Sequence, residues 1–153
     1  EAWLLGYDSP EEPPVSWEDY PNLRPIQLKR FPLLGEIACG EPIFAQEDRE
    51  TFLIADAEIA ADFCLLARGD SMIGARIYDG DAVFIRSQPM VENGEIAAVI
   101  IDDATLKRVY YDREHARLQL VPENPAYSPL VYVGEELDNI RILGKAVGFM
   151  SIF

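Results

Sequence analysis

Hydrophobic residues along this chain occur in many short runs, each bounded by polar or glycine-containing turns. Runs typical of strands lie at 33–42, where Gly40 and Pro42 break the run, and at 63–67, 81–86, 96–101, 106–111, 117–121, 131–133 and 140–152. Turn signals such as Asn93-Gly94 separate them at intervals of roughly 8–12 residues, a spacing typical of sandwiches and barrels. We expect a mostly β domain with partly closed sheets, one helical turn at 56–61, and no helix long enough to form a bundle.

Residues 1–32 differ in composition from the rest of the chain. Prolines and acidic residues recur through 10–21, and Pro25 and Pro32 continue this pattern. A proline-rich, acidic stretch without a hydrophobic period is typical of an extended linker. We therefore divide the chain into a tail at 1–32 and a folded domain at 33–153. Because the chain starts with a glutamate and not with Met, we expect that further sequence preceded it.

Composition narrows the class of function. The chain has 153 residues, 49% of them hydrophobic, and a formal net charge of −14. Phosphate contacts need a basic surface, so this charge argues against direct binding to nucleic acid or anionic lipid. The longest apolar run, 96–101, is far shorter than the roughly 20 residues of a membrane span, and no signal peptide is apparent. Two cysteines, Cys39 and Cys64, favour a reducing, cytoplasmic location over a disulfide scaffold.

The segment 68–81 has no hydrophobic period and lies between two strand-like runs. It contains three glycines, one serine and three aspartates. A small polar loop held between buried strands is a place where a fold can keep a reactive side chain rigid and accessible. We select Ser71 as that side chain. Asp79 and Asp81, on either side of Gly80, are expected to shape the turn and not to act in chemistry.

The base for such a serine is not obvious from composition. The only histidine, His115, lies in a charged turn where we expect it to be exposed, and no metal-ligand spacing or cofactor motif occurs. Lys107 is the remaining candidate, on a predicted strand face that it shares with Thr105 and Val109. Two alternatives stay open for it: a surface lysine with an exposed ammonium, or a buried lysine whose lowered pKa lets it act as a base.

Five segments, in order, resemble the self-cleaving peptidase domain of LexA-type and phage repressors, a family that includes the UmuD-type polymerase accessory proteins. The resemblance covers residues 33–153. The matching segments are Ala38-Cys39-Gly40, Gly69-Asp70-Ser71-Met72, Ile77–Asp81, Gly94-Glu95-Ile96 with Thr105–Arg108, and Leu120–Tyr127.

This resemblance implies a fold of curved β-sheets and an intramolecular reaction without metal or cofactor. Lys107 would be the general base and Ser71 the nucleophile that attacks the carbonyl of Cys39. The Cys39–Gly40 bond would then break, with the backbone N–H groups of Asp70 and Ser71 forming the oxyanion hole. The family also implies stimulation of cleavage by an activated RecA filament.

The first residues favour a repressor among the members of this family. Ala2–Tyr7 resembles the end of the last helix of a helix-turn-helix domain, so operator DNA would bind only through a preceding domain of that kind. A repressor of this type is a homodimer, and we expect residues 142–153 to form part of its interface. The alternatives are a UmuD-type subunit activated by self-cleavage, a non-cleaving dimerisation module, and a relative of type I signal peptidases. The last of these is disfavoured because the chain has no membrane anchor.

Overall fold

A computed structural model describes residues 17–34 and 51–151, which contain nine strands and three short 3₁₀ segments. The strands are β1 (Leu28–Pro32), β2 (Phe52–Asp56), β3 (Phe63–Leu66), β4 (Ala82–Ser87), β5 (Ile96–Ile100), β6 (Ala104–Asp112), β7 (Arg117–Val121), β8 (Leu130–Val133) and β9 (Arg141–Met150). The 3₁₀ segments are Trp17–Asp19, Ile73–Ala75 and Gly134–Asn139. None of the helices in the described ranges is long and apolar enough to cross a membrane.

Seven strands form one antiparallel sheet in the order β3-β4-β9-β5-β6-β7-β8. The seven predicted runs from residue 63 onward each overlap one of these strands, so the expected mostly β class is confirmed, whereas the run at 33–42 lies mostly outside the described residues. The predicted hairpin at 96–111 is also present, with Ile96 opposite Arg108 and Ile100 opposite Ala104. The seven described strands of this sheet do not close into a barrel. This order places three strands between β3, which leads into the Ser71 loop, and β6, which carries Lys107.

A second sheet contains only β1 and β2, paired antiparallel from Leu28 opposite Asp56 to Pro32 opposite Phe52. The expected helical turn at 56–61 is wrong, because Asp56 ends β2 and a hydrogen-bonded turn follows it. In this turn the N–H of Glu58 donates to Asp56 Oδ1 (2.9 Å). An aspartate that accepts a bond from two residues further on favours a turn over a helix at this point.

The extended tail predicted for 1–32 ends earlier than its composition suggested. Residues 28–32 form a strand, and Phe31 is fully buried, with its ring edge-on to that of Phe84 at 5.2 Å between centroids. A buried aromatic pair of this kind contributes about 0.5–1.5 kcal/mol beyond the area it buries. The folded part therefore begins before residue 33.

The hydrophobic core is divided into three clusters, and one of them supports the loop that holds Ser71. Met72 and Ile77 from that loop pack with β3 and β4 residues that include Leu65, Val83 and Ile85. A second cluster lies under β5, β6 and β7, and a third contains Phe31, Cys64 and Phe84. The loop is thus anchored at two points by apolar side chains that are 4% exposed.

Candidate active site

The loop at 67–81 is closed at its base by backbone hydrogen bonds. The N–H of Ala67 donates to Asp81 O, and the N–H of Gly80 donates to Ala67 O, both at 2.8 Å. These bonds continue the pairing of β3 with β4 beyond the ends of the strands. The two ends of the loop are therefore held together at the edge of the sheet.

Two aspartates shape this loop, as expected from the sequence. Asp79 Oδ1 accepts the N–H of Gly69, and Asp81 Oδ2 accepts the N–H of Tyr78, each at 2.8 Å. Gly69 and Gly80 have φ angles of 80° and 90°, a region that glycine enters without steric cost. Both carboxylates are therefore occupied by backbone groups of the turn.

Lys107 is buried on β6 and reaches the loop from the opposite side of the site. Its Nζ lies 3.4 Å from Ser71 Oγ, 2.7 Å from Thr105 Oγ1 and 3.1 Å from Leu106 O. The residue is only 9% exposed. Of the two alternatives that the sequence left open, the structure has the buried lysine.

The surroundings of Lys107 favour its neutral form. Burial lowers the pKa of its ammonium group below the ordinary value, because a charged group loses hydration there. Among the described residues, no carboxylate lies within 4 Å of Nζ to restore the charge. An ammonium would donate to all three oxygens, whereas a free amine donates two hydrogens and accepts one through its lone pair. The geometry thus permits Nζ to accept the hydroxyl hydrogen of Ser71.

The backbone N–H groups proposed for the oxyanion hole belong to Asp70 and Ser71. Within residues 17–34 and 51–151, neither group donates a hydrogen bond. Both are therefore available to an oxygen atom of a bound peptide. Hydrogen-bond donors that are held in place before the reaction are the usual means of stabilising a developing oxyanion.

A cavity of about 320 Å³ adjoins Ser71. Its walls combine apolar residues of β3 and the Ser71 loop with residues at the start of the β5–β6 hairpin. They include Leu65, Ala67, Met72, Ala98, Ala104 and Leu106. The lining also includes the charged residues Arg68 and Asp103, so the cavity offers both apolar contacts and polar groups to an extended peptide segment.

The remaining candidate residues from the sequence lie outside the described residues or away from Ser71. Cys39 and Gly40 lie outside the described residues, as does the Ala2–Tyr7 segment. His115 is confirmed as a surface residue, with a side chain that is 72% exposed and paired with Asp112. No cluster of three or more His, Cys, Asp or Glu side chains suited to a metal ion occurs in the part of the chain that the structure describes.

Sequence analysis assigned no role to two contributors to the site, although both lie in segments that carry the family resemblance. Thr105 contacts Lys107 directly, and its position two residues earlier on the same strand face was the signal available for it. The segment 122–127 contacts the Ser71 loop through Glu123, Asn124 and Tyr127. Nothing in its sequence pattern indicates that contact, because it joins residues more than fifty positions apart.

Comparisons with known proteins show which family the chain belongs to. The family model described as Peptidase S24-like matches residues 32–147. The LexA repressor of Oleidesulfovibrio alaskensis is 41% identical over 133 residues, which cover 84% of this chain and 62% of that protein. The LexA repressor of Magnetococcus marinus is 42% identical over 142 residues (91% and 58%), and that of Enterococcus faecalis is 41% identical over 129 residues (80% and 58%). The chain spans about three fifths of the length of these relatives.

Proposed function

The chain belongs to the Peptidase S24-like family, and we propose that it is the regulatory C-terminal domain of a LexA-type transcriptional repressor. It forms a homodimer in the cytoplasm and inactivates the repressor by cutting its own chain between Cys39 and Gly40. Ser71 is the nucleophile and Lys107 the general base. The reaction requires neither a metal ion nor a cofactor.

The burial of Lys107 beside Ser71 carries this proposal. Among residues 17–34 and 51–151, the hydrogen-bond partners of its Nζ are two hydroxyl oxygens and one carbonyl oxygen, and burial lowers its pKa. A serine hydroxyl is a weak nucleophile until a nearby base removes its proton. A neutral amine 3.4 Å from Ser71 Oγ is such a base, and bonds of this kind commonly tighten once substrate is bound.

The reaction proceeds in two steps. The neutral amine of Lys107 takes the proton of Ser71 Oγ, which attacks the carbonyl carbon of Cys39, while the N–H groups of Asp70 and Ser71 stabilise the oxyanion. The Lys107 ammonium then gives its proton to the nitrogen of Gly40, and that peptide bond breaks. An ester between Ser71 and Cys39 remains. Lys107 next activates a water molecule, which hydrolyses the ester and regenerates the serine.

The substrate is part of the same chain, which compensates for a modest catalytic site. A tethered peptide reaches the serine without the entropic cost of association, an advantage that corresponds to a high effective concentration. Gly40 has no side chain, so the segment can bend closely against the loop. Cys39 is small enough for the cavity beside Ser71 and acts as the acyl residue, not as a nucleophile.

The role of repressor is supported by the relatives, which carry the name LexA repressor and extend well beyond the matched region. Operator DNA is bound through a helix-turn-helix domain that precedes this chain, because a net charge of −14 does not suit phosphate contacts. The dimer pairs these domains on two-fold operators. Residues 146–150 of β9 pair with β4 only, so among the described strands their other backbone edge has no partner and suits a contact with a second copy.

The activating partner is a RecA filament. We expect it to favour the conformation in which the Cys39–Gly40 segment occupies the site, which shifts a pre-existing equilibrium and does not supply catalytic groups. Under this proposal, RecA raises the cleavage rate near neutral pH but leaves the position of the cut unchanged.

Alkaline incubation of the purified chain tests the proposal. At a pH of about 9–10, where a lowered pKa gives Lys107 a larger neutral fraction than an ordinary lysine has, we expect mass spectrometry to detect fragments 1–39 and 40–153. The Ser71→Ala and Lys107→Ala variants should remain whole. A parallel incubation with activated RecA near neutral pH should give the same two fragments. A wild-type chain that stays intact under both conditions would refute self-cleavage.

A further inference from the structure

The segment 122–127 binds the peptide groups on both sides of Ser71. The side-chain amide of Asn124 donates from Nδ2 to Asp70 O at 2.8 Å, and the N–H of Glu123 donates to Ser71 O at 2.8 Å. Both carbonyls that flank the Ser71 side chain are therefore fixed from a segment 52 or more positions later in the chain.

The bond from Asn124 also helps to fix where the N–H of Ser71 points, and it is the shorter of two bonds to Asp70 O, which also accepts the N–H of Ile73 at 3.4 Å. The carbonyl of Asp70 and the N–H of Ser71 belong to one planar trans peptide group, in which oxygen and hydrogen point in opposite directions. Fixing the oxygen consequently fixes the hydrogen on the other side. A donor to the carbonyl also polarises the peptide group and strengthens its N–H as a donor.

Asn124 is itself held in the orientation that this role requires. It is only 9% exposed, and its Oδ1 accepts the N–H of Ala126 at 2.9 Å. Because one end of the amide is occupied as an acceptor, the other end must present its NH₂ group to Asp70. The hydroxyl of Tyr127 adds a bond to Asp70 Oδ1, from the same segment.

The segment is also tied to the strand that carries the base. The carboxylate of Glu123 pairs with Arg108, the neighbour of Lys107 on β6. The backbone carbonyl of Glu123 accepts the N–H of Gly74 at 2.7 Å. A Cβ at position 74 would lie only 2.6 Å from that oxygen, so the close contact requires glycine there. One short segment thus contacts the nucleophile loop and the base strand together.

We propose that Asn124 is a positioning residue for peptide cleavage, which orients the Ser71 N–H toward the oxyanion by holding the Asp70–Ser71 peptide group. This inference rests on the proposed self-cleavage and extends it to a residue that does not touch the substrate. Asn124 acts on the rate of the chemical step. It makes no hydrogen bond to Lys107, so it leaves the titration of the base unchanged.

The test is the pH–rate profile of alkaline self-cleavage in the full chain. Removing a direct oxyanion donor costs about 10²–10³ in rate, so loss of its orientation should lower the plateau rate of Asn124→Ala by about 10- to 100-fold. The midpoint of the profile should stay at the wild-type pH. Asn124→Asp, which keeps the acceptor for Ala126 but cannot donate when ionised, should show a comparable loss of plateau rate.

Asn93→Ala is the matched control. Asn93 makes the same two kinds of bond in a turn away from Ser71, accepting the N–H of Tyr111 at 2.7 Å and donating to Tyr111 O at 3.4 Å. Its plateau rate should equal that of the wild type. A plateau for Asn124→Ala within about threefold of the wild type, or a fall accompanied by a shifted midpoint, would overturn the proposal.

The proposal can still be judged if a variant of Asn124 does not fold. If Asn124→Ala loses its cooperative melting transition, the plateau rate of Asn124→Asp is judged by the same criterion. If that variant also fails to fold, Asn124 is a stability residue and the positioning role is rejected. A wild-type chain that does not cleave at all refutes the proposed function itself, and that result is distinct from any defect confined to the Asn124 variants.

Discussion

Two lysines lie on either side of Ala97 in the large sheet, and their surroundings differ. Lys107 on β6 and Lys145 on β9 are both direct partners of Ala97 on β5. Lys145 Nζ lies 2.5 Å from Glu95 Oε2, whereas the described hydrogen-bond partners of Lys107 Nζ are hydroxyl and carbonyl oxygens. One lysine is thus a member of an ion pair and the other is buried beside a serine.

The carboxylate accounts for this difference. The hydrogen bond from Lys145 is the largest of the effects that lower the pKa of Glu95, so the Glu95 carboxylate of this pair is charged at neutral pH. At Lys107, burial disfavours the charge and lowers the pKa. Position on the sheet is therefore not what distinguishes the two lysines. We propose that Lys107 acts as a base because it is buried and has no carboxylate among its described neighbours.

Replacing each lysine by methionine should give the largest difference in self-cleavage rate between the two positions. We expect Lys107→Met to lower alkaline self-cleavage by about 10³-fold or more, because the serine loses its base. Lys145→Met should cleave within a few-fold of the wild-type rate, as measured by the appearance of fragment 40–153. Equal losses in the two variants would mean that the comparison between the lysines is wrong.

Giving Lys107 a carboxylate should convert its surroundings into those of Lys145. In Thr105→Asp, an anion would replace the hydroxyl that lies 2.7 Å from Nζ. A neighbouring opposite charge shifts a pKa by about 1–3 units, here upward, so the rate at a fixed pH below the midpoint should fall by about 10- to 1000-fold. The midpoint of the pH–rate profile measures this shift. Thr105→Asn, which has similar size without the charge, is the control and should leave the midpoint at lower pH than Thr105→Asp.

Removing the Thr105 hydroxyl without adding a charge should shift the midpoint of the pH–rate profile to lower pH. In Thr105→Val, the ammonium form of Lys107 loses an acceptor, and hydrogen bonds to charged groups are worth about 1.5–3 kcal/mol. We expect the midpoint to move down by about one pH unit. A midpoint that rises in this variant would show that Thr105 instead stabilises the neutral amine.

The smallest effect on cleavage is expected at Glu95. Glu95→Gln removes the partner of Lys145 and should leave the cleavage rate within about twofold of the wild type, because Ser71 and Lys107 are untouched. Its melting temperature should be slightly lower than that of the wild type near neutral pH. Since the pKa of Glu95 is lowered in the folded state, this stabilisation is present above the ordinary pKa of a glutamate and is lost as the pH falls through the lowered value. The melting curves of the two proteins should therefore converge in acid.

The strands of the large sheet could be predicted because their side chains alternate or form uninterrupted apolar runs between clear turns. β1 could not, since only Phe31 of its five residues is buried and prolines lie close on both sides. A pattern of exposed, charged and proline residues describes a linker and an edge strand equally well.

In the site, too, some features could be predicted from the sequence and others could not. Ser71 could be selected from its loop, and the position of Thr105 could be inferred from strand periodicity. The approach of Lys107 to Ser71 depends on the order of the strands, with β4, β9 and β5 lying between β3 and β6. The contact of Asn124 with Asp70 depends on the path of a loop, for which the sequence carries no periodic signal.

A direct titration of Lys107 tests the central claim, that this lysine is a base because it is buried without a carboxylate. The Ser71→Ala variant, which should not cut itself, permits the side-chain carbon next to Nζ to be followed by NMR over a wide pH range, with Lys107→Met used to assign its signal. We predict that Lys107 titrates below the ordinary lysine value of about 10.4, near the midpoint of the wild-type cleavage profile. A Lys107 that titrates at or above that value would contradict the account.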